Sequence, residues 1–217
     1  MSKTVVCLAG PSAVGKSSVI EQVVALTNAE QAYSLTTRAL RGANDHRIHV
    51  SKDEFDRRKN AGEFIEHISY NGHEYAISKS VVNAILQKGK VAILDCDEAG
   101  VIQILKAGLD AQVITIFLVC TAGQLYARQM QRDGTGLTAA AKIWRMRNSL
   151  IEIEGCEKKH IFQYVIDNSN LQEAAEKIVR IIEDDPSVKS DSFSMISFKE
   201  EMTKTLTELN NQFKEEW

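Results

Sequence analysis

The chain has 217 residues, of which 44% are hydrophobic and 25% charged, so it carries enough apolar material for one sizeable globular core. Its net charge of −3 and pI near 6.0 exclude the strongly basic field that would attract nucleic acid or an anionic membrane, and neither partner is expected. Apolar stretches stay far below the ~20 residues of a membrane span, and the four cysteines show no CxxC pairing, which together predict a cytoplasmic protein.

The predicted elements alternate between strands and helices. Short apolar runs rich in β-branched residues predict parallel strands at 4–9, 91–96, 112–119 and 162–166. Segments with helical periodicity lie at 16–26, 78–87, 99–106, 122–132, 140–154 and 171–183. This alternation predicts an α/β fold, with a parallel sheet and helices on both of its faces.

A phosphate-binding motif follows the first predicted strand. Residues 10–17, GPSAVGKS, fit the pattern G-x-x-x-x-G-K-[ST], and they lie between a strand and a helix as this motif requires. Its glycines let backbone N–H groups turn inward, towards an anion at the helix N-terminus. Lys16 is expected to neutralise nucleotide phosphates, and Ser17 to hold Mg²⁺. The alternative is an ordinary turn capped by Ser17, which does not need a lysine at that position.

The alternation breaks between about residues 34 and 75. This stretch contains, in order, a predicted strand at 47–50, a helix that begins at Ser51, and two strands at 64–70 and 73–77 joined by Asn71-Gly72. Ser51 and Glu54 have the spacing of a capping box, and Asn-Gly is a strong hairpin signal. The simplest description is a small antiparallel lobe inserted between strands of the main sheet.

Two aspartates, Asp95 and Asp97, end the apolar run VAILDCD. Carboxylates at the carboxyl end of a parallel strand point towards the crevice where open α/β sheets bind ligands. Capping of the next helix is an alternative that suffices for one aspartate but not for both.

An amphipathic pattern closes the chain after Pro186 and a polar spacer. Apolar residues recur at steps of three and four, at Met195, Phe198, Met202, Leu206, Leu209, Phe213 and Trp217. The stripe predicts a helix that either packs back on the sheet domain or pairs with the same helix of a second copy in a homo-oligomer. The sequence favours neither.

Six segments, in a stretch from Val5 to about Glu183, carry a likeness to a known family. They are GPSAVGKSS at 10–18, SLTTRALR at 34–41, EFIEH at 63–67, NGHEYA at 71–76, ILDCDEAG at 93–100 and YVIDNSNLQEA at 164–174. Together they resemble guanylate kinases. Each segment alone is weak, but six at nearly the family's spacing make coincidence implausible. The resemblance implies a P-loop NTPase-type sheet, an inserted nucleotide-monophosphate-binding lobe and a helical lid.

The resemblance also implies an activity, the transfer of the γ-phosphoryl of ATP to GMP or dGMP with Mg²⁺. It divides the chain into a kinase-like domain over 1–184 and a C-terminal extension over 185–217. Within the domain the core is 1–33 and 78–184, the nucleotide-monophosphate lobe is 34–77, and the lid is about 128–147.

Site residues follow from the resemblance position by position. The ATP-binding residues implied are Gly10, Pro11, Ser12, Ala13, Val14, Gly15, Lys16, Ser17, Ser18, Arg128 and Asn168. The GMP-binding residues implied are Ser34, Arg38, Arg41, Glu66, Tyr75 and Asp97. The catalytic residues implied are Lys16, Arg38, Arg132 and Arg145, with Arg147 as a substitute for Arg145. The metal ligands implied are Ser17 and Asp95, the latter directly or through water.

The implied roles agree with the chemistry of these side chains. A planar guanidinium offers paired donors to a phosphate. Carboxylates accept hydrogen bonds from the N1–H and exocyclic amine of guanine, which adenine lacks on its pairing edge. Taken singly, Glu66 and the arginines are also explained as solvated surface charges.

Two departures from the family pattern keep other functions open. The family's tyrosine in the segment matching 45–48 is missing, and His46 and Arg47 stand there instead. Ile77 replaces a small polar residue that would bind guanine. A ribose-bisphosphate kinase of similar architecture is one alternative, which the acids Glu66 and Asp97 argue against. A noncatalytic guanylate-kinase-like binding module is the other, which the intact Lys16 and Ser17 argue against.

Overall fold

The computed structural model of the chain describes residues 3–40, 42, 45, 47–70, 72–133, 138–191 and 195–215. In chain order the elements are β1 (Thr4–Ala9), α1 (Lys16–Leu26), β2 (Glu30–Gln31), β3 (Leu35–Thr36), β4 (Ile48–His49), α2 (Lys52–Asn60), β5 (Phe64–Tyr70), β6 (His73–Ser78), α3 (Lys79–Gln87), β7 (Ala92–Asp95), α4 (Glu98–Lys106), β8 (Gln112–Val119), α5 (Ala122–Asp133), α6 (Ala139–Lys159), β9 (Tyr164–Asp167), α7 (Leu171–Ile182) and α8 (Met195–Glu215).

The predicted α/β alternation is confirmed, and most element ends agree within two residues. The largest difference is α6, which continues to Lys159 instead of ending at 154. Lys158 and Lys159 suit the negative end of the helix, and the helix stops only where His160 adopts a left-handed conformation. The strands β2 and β3 were not predicted, because two residues are too few to show a period.

The chain divides into two compact units. The first unit runs to Ala9 and resumes over Ile20–Thr115. Its parallel strands lie in the order β2-β7-β1, with Leu8 opposite Asp95, and the start of β8 lies beside β1, where Gln112 N–H donates to the Lys3 carbonyl at 2.8 Å. Because β1 and β7 are almost entirely buried, their apolar side chains form the core of this unit.

A second sheet in the first unit has the strand order β4-β3-β6-β5. The strands β5 and β6 form the predicted hairpin, with Tyr70 opposite His73 and Gly72 at a φ of 75°. One pairing departs from the predicted antiparallel lobe, since β3 and β4 pair in parallel. Ser51 caps α2 as predicted, with its hydroxyl accepting from Glu54 N–H at 3.2 Å.

The second unit contains Gly10–Val19 and the chain from Ile116 onward. Here β8 pairs in parallel with β9, and Phe117 packs on Phe162 with ring centroids 5.0 Å apart. The predicted polar spacer lies along β9, because Asp191 N–H donates to the Val165 carbonyl at 2.8 Å. This segment therefore covers a strand edge that would otherwise be open to pairing with another chain.

The C-terminal helix α8 packs against α5 and α6 of the second unit. Phe198, Met202 and Leu209 of the apolar stripe are buried there. A carboxylate oxygen of Glu201 accepts the Ala122 N–H at the start of α5 at 3.0 Å. The structure thus agrees with the first alternative, in which the helix packs back on the sheet domain. The homo-oligomer stays a prediction. Trp217 lies outside the described residues.

Across the described ranges, the structure contains no helix with both the length and the apolar character that a membrane span needs.

Candidate functional site

The phosphate loop, residues 10–17, has a backbone conformation that few sequences can adopt. Gly10, Ala13 and Gly15 all have positive φ angles, of 144°, 70° and 107°. For Ala13 this left-handed conformation costs about 1–2 kcal/mol, and strain of this kind is concentrated at ligand-binding loops. Lys16 Nζ donates to the Gly10 carbonyl at 2.7 Å, so the lysine folds back over the loop. Ser17 and Ser18 are exposed in the first turn of α1.

Gly10 and Gly15 are also required by their neighbours. A Cβ atom at Gly10 would lie 2.6 Å from the Leu118 carbonyl oxygen, and one at Gly15 would lie 2.5 Å from Asn168 Nδ2. Such distances are too short for any real contact. The spacing of glycines in the motif therefore reflects both the turn and the close approach of Leu118 in β8 and of Asn168, which follows β9.

Arg128 and Asn168 hold the loop through its backbone. Arg128 Nη1 and Asn168 Nδ2 both donate to the Val14 carbonyl, at 2.9 and 2.8 Å. Arg128 Nη2 donates to the Asn168 carbonyl at 3.0 Å, which links the two residues to each other. Asn168 Oδ1 is buried and accepts no hydrogen bond from the described residues. A ligand with an N–H donor would satisfy it.

Gln129 is a loop contact that the sequence did not predict. This fully buried side chain donates from Nε2 to the Ser12 carbonyl at 3.0 Å and to Ser149 Oγ at 2.9 Å. The Ser149 hydroxyl in turn donates to the Arg145 carbonyl on α6 at 3.1 Å. A signal was present in the sequence, because Gln129 follows the buried Leu125 by four residues and so lies on the buried face of α5.

The predicted lid residues are only partly described. Arg145 is half-buried and Arg147 exposed on α6. Arg132 lies in α5, but its side chain and residues 134–137 fall outside what the structure describes. The lid therefore stays a prediction.

A charged cluster lies in the first unit and consists of Arg38, Asp45, Arg47, Glu66, Tyr75, Asp95 and Asp97. Arg38 Nη2 donates to Asp45 Oδ2 at 2.6 Å, and Nη1 donates to the Ala39 carbonyl at 2.8 Å. The side chains of Arg38 and Asp45 are only 14% and 4% exposed, so neither is an ordinary surface charge. Burial opposes the charge of Arg38, but hydrogen bonds to Asp45 and Tyr75 raise its pKa above the usual value.

Arg47 joins the charged cluster at the position where the resemblance expects a tyrosine. Its Nη1 donates to Asp45 Oδ1 at 3.2 Å, and its Nη2 lies 3.6 Å from Asp95 Oδ2. Its guanidinium lies 5.8 Å from the centre of the Tyr75 ring, within the range of a cation–π contact. Asp45 was not predicted, and no sequence signal singles it out. Arg41 and His46 are not among the described residues.

Glu66 and Asp97 form the acidic part of the charged cluster. Glu66 is only 4% exposed. Burial raises its pKa to about 8, the carboxylates of Asp97 and Asp95 add to this, and the Ile77 backbone N–H opposes it. The raised pKa favours the protonated form of Glu66 near neutral pH, whereas its predicted role as a hydrogen-bond acceptor for guanine requires the ionised form.

The remaining predicted residues of this region have structural partners as well. Asp97 accepts the Gly100 N–H at 2.7 Å and caps α4, as the capping alternative predicted for one of the two aspartates. Asp95 ends β7 and is half-buried. Ser34 is half-buried and its carbonyl accepts the Ile48 N–H at 2.9 Å. The members of the charged cluster come from separate segments of the first unit, and the second sheet and β7 bring them together.

The fold and the phosphate loop define an α/β protein of the P-loop class. A family model described as guanylate kinase matches residues 1–185. The chain therefore belongs to the guanylate kinase family, as the resemblance implied. The match ends before α8.

Individual relatives agree with the family model. A guanylate kinase of Thermotoga maritima is 29% identical over 183 residues, covering 82% of this chain and 84% of that protein. One from Koribacter versatilis is 30% identical over 187 residues, covering 84% and 78%. The crystal structure of guanylate kinase from Anaplasma phagocytophilum has the same fold, with a TM-score of 0.67 at 24% identity over 86% of this chain and 87% of that chain.

Proposed function

We propose that this chain transfers the γ-phosphoryl of ATP to the phosphate of GMP or dGMP, giving ADP and the corresponding diphosphate. The observation that carries the proposal is the buried acid Glu66, with the half-buried Asp97 close to it, in the same cluster as Arg38. A carboxylate buried this deeply favours a ligand with N–H donors, and an arginine in the same cluster favours one that also carries a phosphate.

On the donor side, residues 10–18 bind the phosphates of ATP. Lys16 exchanges its contact with the Gly10 carbonyl for the β- and γ-phosphates. Arg128 and Asn168 keep the loop in its binding conformation through the Val14 carbonyl. The amino group of adenine is a donor of the kind that the buried Asn168 Oδ1 lacks among the described residues.

On the acceptor side, the base is recognised by Ser34, Glu66 and Asp97. The phosphate is bound by Arg38, Arg41 and Tyr75. Guanine presents N–H groups to the acids, whereas adenine would leave them opposite a lone pair. A ribose bisphosphate has no base, and it would leave the buried Glu66 without a ligand partner. Buried polar groups of this kind can reject a mismatched ligand by roughly 10⁴-fold.

The reaction requires no general base. The acceptor phosphate has its second pKa at about 6, so it is already largely dianionic at neutral pH. The residues act instead by orienting the two anionic substrates and offsetting charge on the transferred group, which is the proposed role of Lys16, Arg38, Arg132 and Arg145. A lid over about 128–147 would exclude water, which competes as the acceptor.

Ser17 and Asp95 carry oxygen atoms of the kind that magnesium prefers, and the ion would arrive with ATP. Ser17 offers an exposed hydroxyl and Asp95 a half-buried carboxylate, which acts directly or through water. No group of three or more His, Cys, Asp or Glu side chains in the described ranges is arranged to hold a metal ion. Mg²⁺ is commonly bound by one or two protein oxygens together with substrate phosphates. When bound, it supplies positive charge to the β- and γ-phosphates.

The test is a coupled assay of ADP formation from Mg·ATP, with GMP, dGMP, AMP, UMP and ribose bisphosphate as acceptors. GMP or dGMP is expected to give the highest rate, and Lys16→Ala to abolish turnover while leaving GMP binding intact. Faster consumption of ribose bisphosphate would contradict the proposal. Binding of GMP without any turnover would instead identify a noncatalytic module.

A further inference from the structure

The arginines of the charged cluster have hydrogen-bond donors left over. Among the described residues, the Nε atoms of Arg38 and Arg47 are both buried and have no acceptor. A buried N–H without a partner is costly, and two such groups from guanidinium ions are unusual. They indicate that an anion with several acceptor oxygens binds between these side chains.

A single carboxylate already bridges the two arginines. Asp45 gives one oxygen to Arg38 Nη2 at 2.6 Å and the other to Arg47 Nη1 at 3.2 Å. Both guanidinium groups are thus turned by their Nη atoms towards Asp45, which leaves their Nε–H groups for another ligand. Tyr75 supports the same arrangement, since it hydrogen-bonds to Arg38 and its ring lies 5.8 Å from the Arg47 guanidinium.

The contact of Arg47 with Asp95 is weaker than its contact with Asp45. Arg47 Nη2 lies 3.6 Å from Asp95 Oδ2, longer than the usual 2.7–2.9 Å of a charge-assisted hydrogen bond, whereas Asp45 accepts hydrogen bonds from both arginines. A phosphate oxygen at hydrogen-bond distance from Arg47 would make a shorter contact than Asp95 does.

We propose that Arg47 is a ligand of the acceptor phosphate, and that Asp45 is the positioning residue that holds Arg47 and Arg38 side by side for it. The proposal rests on the proposed function, because the anion is the phosphate of the nucleoside monophosphate. It gives this chain a charged, planar donor where the family pattern has a tyrosine hydroxyl. Arg47 replaces a neutral contact with a charge-assisted one.

The test measures the dissociation constants of GMP, AMP, ribose 5-phosphate and guanosine by calorimetry. Arg47→Gln is expected to weaken GMP binding roughly tenfold to a hundredfold, since it removes a hydrogen bond between charged groups. Guanosine has no phosphate, so its binding should not change. Arg47→Lys keeps the charge but loses the planar fork, and should fall between the wild type and Arg47→Gln. Arg57→Gln is the matched control, because Arg57 is an exposed arginine on α2 of the same unit.

Asp45→Asn distinguishes a positioning role of Asp45 from competition with the phosphate and from a merely structural role. It should weaken GMP binding without affecting guanosine, although it removes a negative charge close to the phosphate. Its effect should also shrink in the Arg47→Gln background, because a positioning residue acts through the arginine it holds. Tighter binding of GMP would show that Asp45 competes with the phosphate, and equal losses for GMP and guanosine would show a merely structural role; either result overturns the assignment of Asp45.

Failure of this inference is distinguishable from failure of the proposed function. If Arg47→Gln behaves like Arg57→Gln towards every monophosphate that the wild type binds, Arg47 is not a phosphate ligand, whatever the assay of turnover shows. If the wild type transfers no phosphoryl to GMP but binds another monophosphate in an Arg47-dependent way, the proposed function fails and the phosphate contact stands. A wild-type chain that binds none of the three monophosphates overturns both.

Discussion

The phosphate loop and the charged cluster use different parts of the chain to bind anions. The loop relies on its backbone conformation, which two glycines permit and which Arg128, Gln129 and Asn168 fasten through carbonyl groups. The charged cluster relies on ionisable side chains from separate segments, several of them buried. A backbone site tolerates most side-chain changes but no change of shape, whereas a side-chain site depends on charge and protonation. Substitutions in the phosphate loop and in the charged cluster should therefore impair substrate binding in different ways.

The largest effect is expected from Gly15→Ala in the phosphate loop. The added methyl group would lie 2.5 Å from Asn168 Nδ2, at a φ of 107° that alanine rarely adopts. We expect kcat/KM for ATP to fall by about a hundredfold or more, because strain and displacement of Asn168 both distort the loop. Gly123→Ala is the control, since nothing lies within 4 Å of its added Cβ atom. Wild-type ATP kinetics in Gly15→Ala would show that the loop is not the donor site.

A smaller but pH-dependent effect is expected from Glu66 in the charged cluster. Because the pKa of Glu66 is raised to about 8, its ionised carboxylate is the minor form at neutral pH. Guanine binds this ionised form. Affinity for guanosine should rise by up to about tenfold per pH unit as the pH approaches 8 and then level off. Guanosine is the probe because it has no phosphate that titrates in this range.

Glu66→Gln should abolish this pH dependence and reduce the preference for guanine, with the KM for ATP unchanged. Glu54→Gln, on the exposed face of α2, should keep the wild-type profile. Equal damage to guanosine and ATP binding would contradict the role of Glu66. The raised pKa has a second consequence: the free energy of unfolding should fall as the pH rises from about 4.5 to 8, because the unfolded chain releases this proton first.

The smallest effect is expected from Gln129→Leu. This change removes the donor that joins the Ser12 carbonyl to Ser149, so the loop loses one of its contacts with α5. We expect the KM for ATP to rise a few-fold, in line with the loss of a neutral hydrogen bond, and the affinity for GMP to stay the same. Gln172→Leu, exposed on α7, is the control. An equal loss of affinity for ATP and for GMP would indicate a general loss of stability.

The same contrast decides how much was predictable from the sequence. The phosphate loop is contiguous, and the need for glycines at fixed positions leaves a motif that chance rarely produces. Long apolar strands and helices were likewise predicted because their periods extend over many residues. The charged cluster draws on residues from 38 to 97. Asp95 and Asp97 were singled out by their place at the end of a strand, whereas Arg38, Glu66 and Tyr75 were found only through resemblance to a family.

Other features left no pattern to detect. Asp45 is one acid in a polar stretch, and only the folded chain shows that it bridges Arg38 and Arg47. The protonation of Glu66 depends on burial and on two carboxylates that are distant in sequence. The strands β3 and β4 pair over two residues each, so no period in the sequence shows that they run in parallel. For α8, the period showed an apolar stripe but not which surface covers it.

The most direct test of the account is the ratio of kcat/KM for GMP to that for AMP, measured at saturating Mg·ATP. If Glu66 and Asp97 recognise the base, the ratio should be at least about a thousandfold in the wild type and should fall in Glu66→Gln, which keeps Asp97. A wild-type ratio near one, or a ratio that Glu66→Gln leaves intact, would contradict base recognition by the charged cluster.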